Sequence, residues 1–298
     1  MSTNDTQHTG PSEERLSDTR RLHRFDVGAE PRLVAQLGLA DVEIDATGPG
    51  GHVVVDLETF GSKARDLLER TSVEQDGSTV RIDMPRVSTF FGLSPRMRVR
   101  VQVPAGTAVD LGAGSGDVSV RGELGGAHVE TGSGGIDLES VHEAEIKAGS
   151  GDVRVGRAHG LRIRTGSGGI RIGEVVGDVA ATAGSGDMTV GTVRASTSLT
   201  CGSGNIDVED VSGDAQVKTG SGRVRVARAT QGQLSVATGS GTIRVGVAEG
   251  TAAHLDVSTV SGRVRSELES VPGAGENDRT LMLRARAVSG NIDLVRAV

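Results

Sequence analysis

The sequence predicts an all-β fold: a β-solenoid of the β-helix or β-roll kind, with about ten coils of 17–19 residues and two strands per coil. Three observations predict it. A Ser-Gly pair recurs at Ser115, Ser133, Ser150, Ser167, Ser185, Ser203, Ser221, Ser240, Ser261 and Ser289, at intervals of 18, 17, 17, 18, 18, 18, 19, 21 and 28. Fixed apolar columns flank it on both sides, alternating with polar residues at the period of two that marks a half-buried strand. The chain also has 45 Gly, no Trp or Tyr and only four Phe (Phe25, Phe60, Phe90, Phe91), so its core must be a thin one of Val, Ile, Leu and Ala.

Residues 1–24 are polar, of mixed charge and without periodicity, and are expected to form a disordered tail. A β-rich capping region follows over 25–108. Its alternation runs through Leu33, Ala35 and Leu37, then Val42 and Ile44, then Val53, Val55 and Leu57, and resumes at Val80–Met84 and Met97–Val103. Between these strands, SKARDLLER predicts one short helix, capped by Ser62 and burying Leu67 and Leu68. All four Phe fall in this region, which is expected to cover the first full coil.

The repeats occupy 109–298. After each turn come Val118, Ile136, Val153, Ile170, Met188, Ile206, Val224, Ile243, Val264 and Ile292, and two residues on Val120, Leu138, Val155, Ile172, Val190, Val208, Val226, Val245 and, after a break at Ser266, Leu294. Before each turn stand Leu111, Val129, Ile146, Ile163, Ala181, Leu199, Val217, Val236, Val257 and Ala285. Each coil is thus strand, Gly-Ser-Gly turn, strand and a second turn. The segment from Glu267 to Thr280 is polar and contains Gly and Pro, so it is expected to loop out of the last coil.

The Pro-Ala-Gly-Thr lead-in at 104–107, followed by serial Gly-Ser-Gly-Asp-Val units, resembles the bacterial putative-adhesin domain family, a β-strand-repeat family of unknown function. The likeness extends from about Phe25 to Val298, with Gly38–Ile44 as a degenerate unit. The resemblance implies a surface-attachment role and supplies no catalytic residues.

Composition narrows the function. A net charge of −7 excludes a general nucleic-acid binder, which needs excess Lys and Arg to displace phosphate counterions. No segment approaches the roughly 20 apolar residues of a membrane span. The opening residues lack the apolar centre of a secretory signal, so a cytoplasmic location is expected. Cys201 has no partner for a disulfide and sits in a column otherwise held by Thr131, Ala148, Thr165, Ala183, Thr219 and Thr238, where a small buried filler suffices.

Asp117, Asp152 and Asp187 follow the turn on alternate coils, about 10 Å apart, too far to share a calcium ion or act as an acid and base pair, so a turn-forming role is expected. The Gly-Ser-Gly turn precedes a strand rather than a helix, which excludes a phosphate loop. The seven His (His8, His23, His52, His128, His142, His159, His254) show no ligand spacing along the chain. No catalytic, cofactor or metal residues are therefore expected. The candidate interaction residues are outward arginines, namely Arg154, Arg162, Arg164 and Arg171 on two successive coils and Arg223, Arg225 and Arg244 on two others, suited to an anionic polymer or an acidic protein face if they are more than a solvated surface. Ile292 and Leu294 join them as the apolar rim of an uncapped final coil, through which self-association or docking of a protein partner is expected. The leading function is a noncatalytic interaction or scaffold protein. An adhesin or carbohydrate-binding module is the alternative, weakened by the missing stacking aromatics, and a polysaccharide-cleaving β-helix enzyme comes third because clustered carboxylates are absent from neighbouring coils.

Overall fold

The structure, a computed structural model, describes residues 12–48, 50–61, 63–85, 96–269 and 279–297. Ser62, Phe90 and Phe91 lie outside the described residues. The chain is an all-β protein with one helix among these residues, and it divides into two compact units at Val141 and His142.

The first unit contains β1 (Ser12–Ser17), β2 (Arg20–Asp26), β3 (Arg32–Gly48), β4 (His52–Phe60), α1 (Ala64–Arg70), β5 (Ser72–Asp76), β6 (Thr79–Asp83), β7 (Arg96–Pro104), β8 (Ala108–Ser115) and β9 (Val118–Ser133). Its organising element is β3. The first half of β3 pairs in parallel with β6 on one side and β8 on the other, while its second half pairs in parallel with β7 and β9. The expected capping strands and the first Gly-Ser-Gly strands are therefore hydrogen-bonded into the same ladders. Alternation explains the register, since Leu33, Ala35, Val42, Ile44, Val80, Ile82, Val99, Val101, Leu111 and Val118 all point inward and are buried.

Three features of this unit differ from expectation. Residues 12–24, predicted to be disordered, form most of an antiparallel hairpin, β1 with β2, and β2 pairs antiparallel with β4. Too few apolar residues mark it in sequence; what holds it is an existing strand edge and the Arg20 guanidinium, which donates two hydrogen bonds to Asp56 at 2.9 and 2.8 Å. The helix forms as predicted and buries Leu67 and Leu68. Its N-cap position, however, is Lys63 in a left-handed conformation without a side-chain cap, and Thr71 Oγ1 closes the other end by donating to Leu67 O at 2.8 Å. Finally, Phe25 is buried, but Phe60, expected to help cover the first coil, is 42% exposed, with the Arg98 guanidinium 5.3 Å above its ring.

A further strand, β10 (Ile136–Ser150), spans the division between the units. The second unit then holds β11 (Val153–Ser167), β12 (Ile170–Val175), β13 (Val179–Ser185), β14 (Met188–Val193), β15 (Thr197–Ser203), β16 (Ile206–Ser212), β17 (Ala215–Ser221), β18 (Val224–Ser240), β19 (Ile243–Val247), β20 (Thr251–Ser261), β21 (Val264–Ser266), β22 (Arg279–Ser289) and β23 (Ile292–Arg296). Two parallel ladders organise them. One runs β11, β12, β14, β16, β18, β19, and the other β11, β13, β15, β17, β18, each strand meeting the equivalent residue of the next coil, as in Ile170 with Met188 and Leu199 with Val217. This in-register parallel stacking is β-solenoid-like.

The end of the second unit departs from chain order. Strand β18 pairs with β22, not β20, and β19 pairs with β23, not β21. Strands β20 and β21 then pair on the far side of β22 and β23. The chain lays down its outermost coil first, over 251–266, and returns to fill the slot beneath it with 279–297. Arg296 Nη1 donates to Ala248 O and Thr251 O at 3.2 and 3.4 Å, and Arg279 Nη2 to Glu249 O at 2.8 Å, tying the late coil to the crossing turn. The physical reason lies in the side chains. The late coil presents Leu281, Leu283, Ala285, Ile292 and Leu294 inward; the register sets these against Ala253, Leu255, Val257, Val264 and Ser266, a less apolar set better suited to the solvent end.

Candidate functional site

The Gly-Ser-Gly turns are built to stack. In each, the second glycine takes a positive φ, 145° at Gly204, where a Cβ would collide with Gly186 O of the preceding coil. In several copies the residue two places before the turn serine is buried and bonds back to the preceding coil: Thr219 Oγ1 donates to Gly204 O at 3.1 Å and Thr238 Oγ1 to Gly222 O at 3.3 Å. Cys201 fills the same role, its Sγ 3.3 Å from Gly186 O, and burial pushes its thiol pKa up, as expected of a packing residue rather than a nucleophile.

The turn carboxylates are occupied by backbone. Asp117 Oδ1 accepts from Gly135 N–H at 2.7 Å, Asp152 Oδ1 from Gly169 N–H at 2.9 Å, and Asp187 Oδ1 from Asn205 N–H at 2.8 Å. Asn205 Oδ1 continues the series onto Arg223 N–H at 3.0 Å. These side chains staple one coil to the next, a charge-assisted use that leaves less of each carboxylate for a cation.

The predicted arginines are all exposed, but they do not converge. Arg154 lies beside Arg171 and Arg225 beside Arg244 in the ladder that also carries Thr189, Asp207 and Asp293 at the same position. Acids therefore interrupt the basic column, Asp207 beside Arg225 and Asp293 beside Arg244. Arg162 and Arg164 belong to the other ladder, beside Ala180 and Thr182. Arg223 sits at a turn, and Arg154 is 3.7 Å from Asp152.

Ile292 and Leu294 do not form the apolar rim expected of them. Both are buried, at 0% and 1% exposure, because the coil they belong to is the inner one. The open rim is made instead by β20 and β21, which pair on one side only among the described residues. There Leu255 is 37% and Val264 46% exposed, in columns whose other members, such as Leu283, Leu234, Ile292 and Ile243, are buried. Val260 adds an exposed outward side chain. The one acid of this rim strand, Asp256, is held by Arg284 at 2.9 Å and Arg286 at 3.6 Å. Sequence reasoning missed the rim by assuming that coil order follows chain order, although the break at Ser266 and the intervals of 21 and 28 marked the place.

Sequence reasoning also missed a pair of histidines. His142 and His159 are one coil apart, and their rings stack with centroids separated by 4.7 Å. Their spacing of 17 residues equals the coil length, which is the signal that was available.

Among known proteins, the family described as Toastrack DUF4097 matches residues 33–201 and 191–295. No curated protein matches the chain. Solved structures that align with it include a putative adhesin from Parabacteroides distasonis, 13% identical over 92% of this chain and 96% of that one, with a TM-score of 0.45. Others are a putative adhesin from Parabacteroides merdae, at 11% identity, 93% and 97% coverage and a TM-score of 0.38, and a putative lipid binding protein from Parabacteroides distasonis, at 14%, 97% and 98%, and 0.35. No helix among the described residues is long and apolar enough to cross a membrane. The family match spans most of the repeat and most of the strands before it, and the chain belongs to the Toastrack DUF4097 family.

Proposed function

We propose that the protein is a noncatalytic interaction module that self-associates through the β20–β21 rim of its second unit. The observation that carries this reading is the exposure of Leu255 and Val264 in columns that are buried elsewhere in the stack. Beside them runs the 11-residue edge of β20, whose outward N–H and C=O groups pair with nothing among the described residues. A strand edge of this kind is satisfied by another strand, and two copies related by a two-fold axis offer each other the same edge in antiparallel pairing. The ion pairs of Asp256 with Arg284 and Arg286 remove the charge that would otherwise repel its counterpart.

Sedimentation velocity over a wide concentration range tests the reading. The full chain is expected to shift from monomer to dimer as concentration rises, and Leu255→Lys with Val264→Glu to remain monomeric while melting close to the parent temperature. A parent chain that is monomeric throughout overturns the proposal.

A further inference from the structure

We propose that His142, Glu143 and His159 form a binding site for a divalent transition-metal ion of the zinc class. Nδ1 or Nε2 of each imidazole and a carboxylate oxygen of Glu143 all lie within 4.8 Å of one another. A tetrahedral ion with ligand distances of about 2.0–2.1 Å needs donors roughly 3.4 Å apart, a closure that rotation of the three exposed side chains would supply. The stacked rings are within 9° of parallel, so their in-plane lone pairs converge on one ion once rotation about the side-chain bonds tilts the rings toward it. The coil repeat sets this arrangement, because the two histidines are 17 residues apart in a structure whose backbone pairing fixes the distance between coils.

A second observation concerns the seat of Glu143. A Cβ built on Gly160 would collide with Glu143 Oε2, with the carboxyl carbon at 2.6 Å, so the carboxylate rests where residue 160 has no side chain. Gly160 follows His159 directly, which brings the carboxylate to the imidazole of the neighbouring coil. All three side chains are exposed, and no hydrogen bond or ion pair engages them among the described residues. Their lone pairs are therefore available without breaking structure.

Two imidazoles and one carboxylate are the donors that zinc, copper and nickel prefer, whereas calcium and magnesium require an all-oxygen shell. Three protein ligands leave a coordination position for water or for a donor from a bound partner. The site is independent of the β20–β21 rim and stands or falls apart from it.

The test uses the full chain, freed of metal with chelator and dialysed, titrated with zinc chloride by calorimetry. One ion per chain is expected. His142→Ala and His159→Ala should each weaken binding about tenfold or more, and Glu143→Gln and Gly160→Ala should each weaken it by several fold. His254→Ala, a substitution on β20 outside the site, should leave the affinity unchanged. Zinc should also raise the melting temperature of the parent chain but not of the His142→Ala/His159→Ala double variant, whose metal-free melting temperature verifies that it folds. Absence of a saturable site, or binding that survives the double substitution, overturns the proposal.

Discussion

The reversed order of the last two coils makes a quantitative prediction. Val264 and Ile292 occupy the same column and are register partners, yet Ile292 is 0% exposed and Val264 46% exposed. Truncating Ile292 to alanine removes three buried carbons, about 2.4 kcal/mol at about 0.8 kcal/mol each, and the cavity left behind brings the cost to about 3–4 kcal/mol. Truncating Val264 removes two carbons that are about half in water already, for roughly 0.8 kcal/mol. At about 2–4 °C per kcal/mol for a unit of this size, Ile292→Ala should lower the melting temperature by about 6–16 °C and Val264→Ala by only about 2–3 °C. Thermal unfolding followed by scanning calorimetry resolves that difference, and its transition for the second unit is the one to compare. Equal losses, or a larger loss for Val264→Ala, would mean that the coils stack in chain order and that the pairing of β18 with β22 is wrong.

Four other outcomes follow from the same geometry. Val190→Asp should unfold the second unit or lower its melting temperature far more than Thr189→Asp, since Val190 is buried and Thr189 exposed; comparable melting temperatures would refute the register. Gly204→Ala should cost more than Gly106→Ala, because both positions have positive φ but only the former would push a Cβ into a carbonyl of the preceding coil; equal losses in urea denaturation would remove the steric argument. Millimolar calcium should leave the melting temperature unchanged, as Asp117, Asp152 and Asp187 each accept a backbone N–H; a rise of several degrees would show that the turns bind the ion. Burial lowers the pKa of His23, so the folded state binds fewer protons than the unfolded chain. Stability of the first unit should therefore fall as pH drops below the ordinary imidazole value of about 6.5 and on through the lower folded pKa, and His23→Gln should flatten that slope; a pH profile identical to the parent's would exclude His23 as the cause.

The repeat period and the inward columns were legible in the sequence because a parallel coil stack imposes both directly: an apolar residue every second position within a strand, and the same residue type at each coil length. Turn chemistry was legible for the same reason, since only glycine tolerates both the positive φ and the close approach at positions such as Gly204. Less legible were features whose partners come from elsewhere in the chain. The β1–β2 hairpin has little apolar signal of its own and depends on the edge of β4 and the carboxylate of Asp56, some 36 residues from Arg20. The arginines fell into two groups in sequence, but pairing register divides the first group between two ladders and sets Asp207 and Asp293 beside the second. His142 and His159 lacked any local ligand spacing, and only stacking at the coil period brings their rings together. The sequence by itself determined a coiled β-stack with Gly-Ser-Gly corners, because those demands are local and repeat with every turn. Only the tertiary structure decided which coil ends the stack: chain order puts residues 279–297 last, but burying Ile292 and Leu294 rather than Val264 and Ser266 removes more apolar surface from water, and the late coil therefore lies inside.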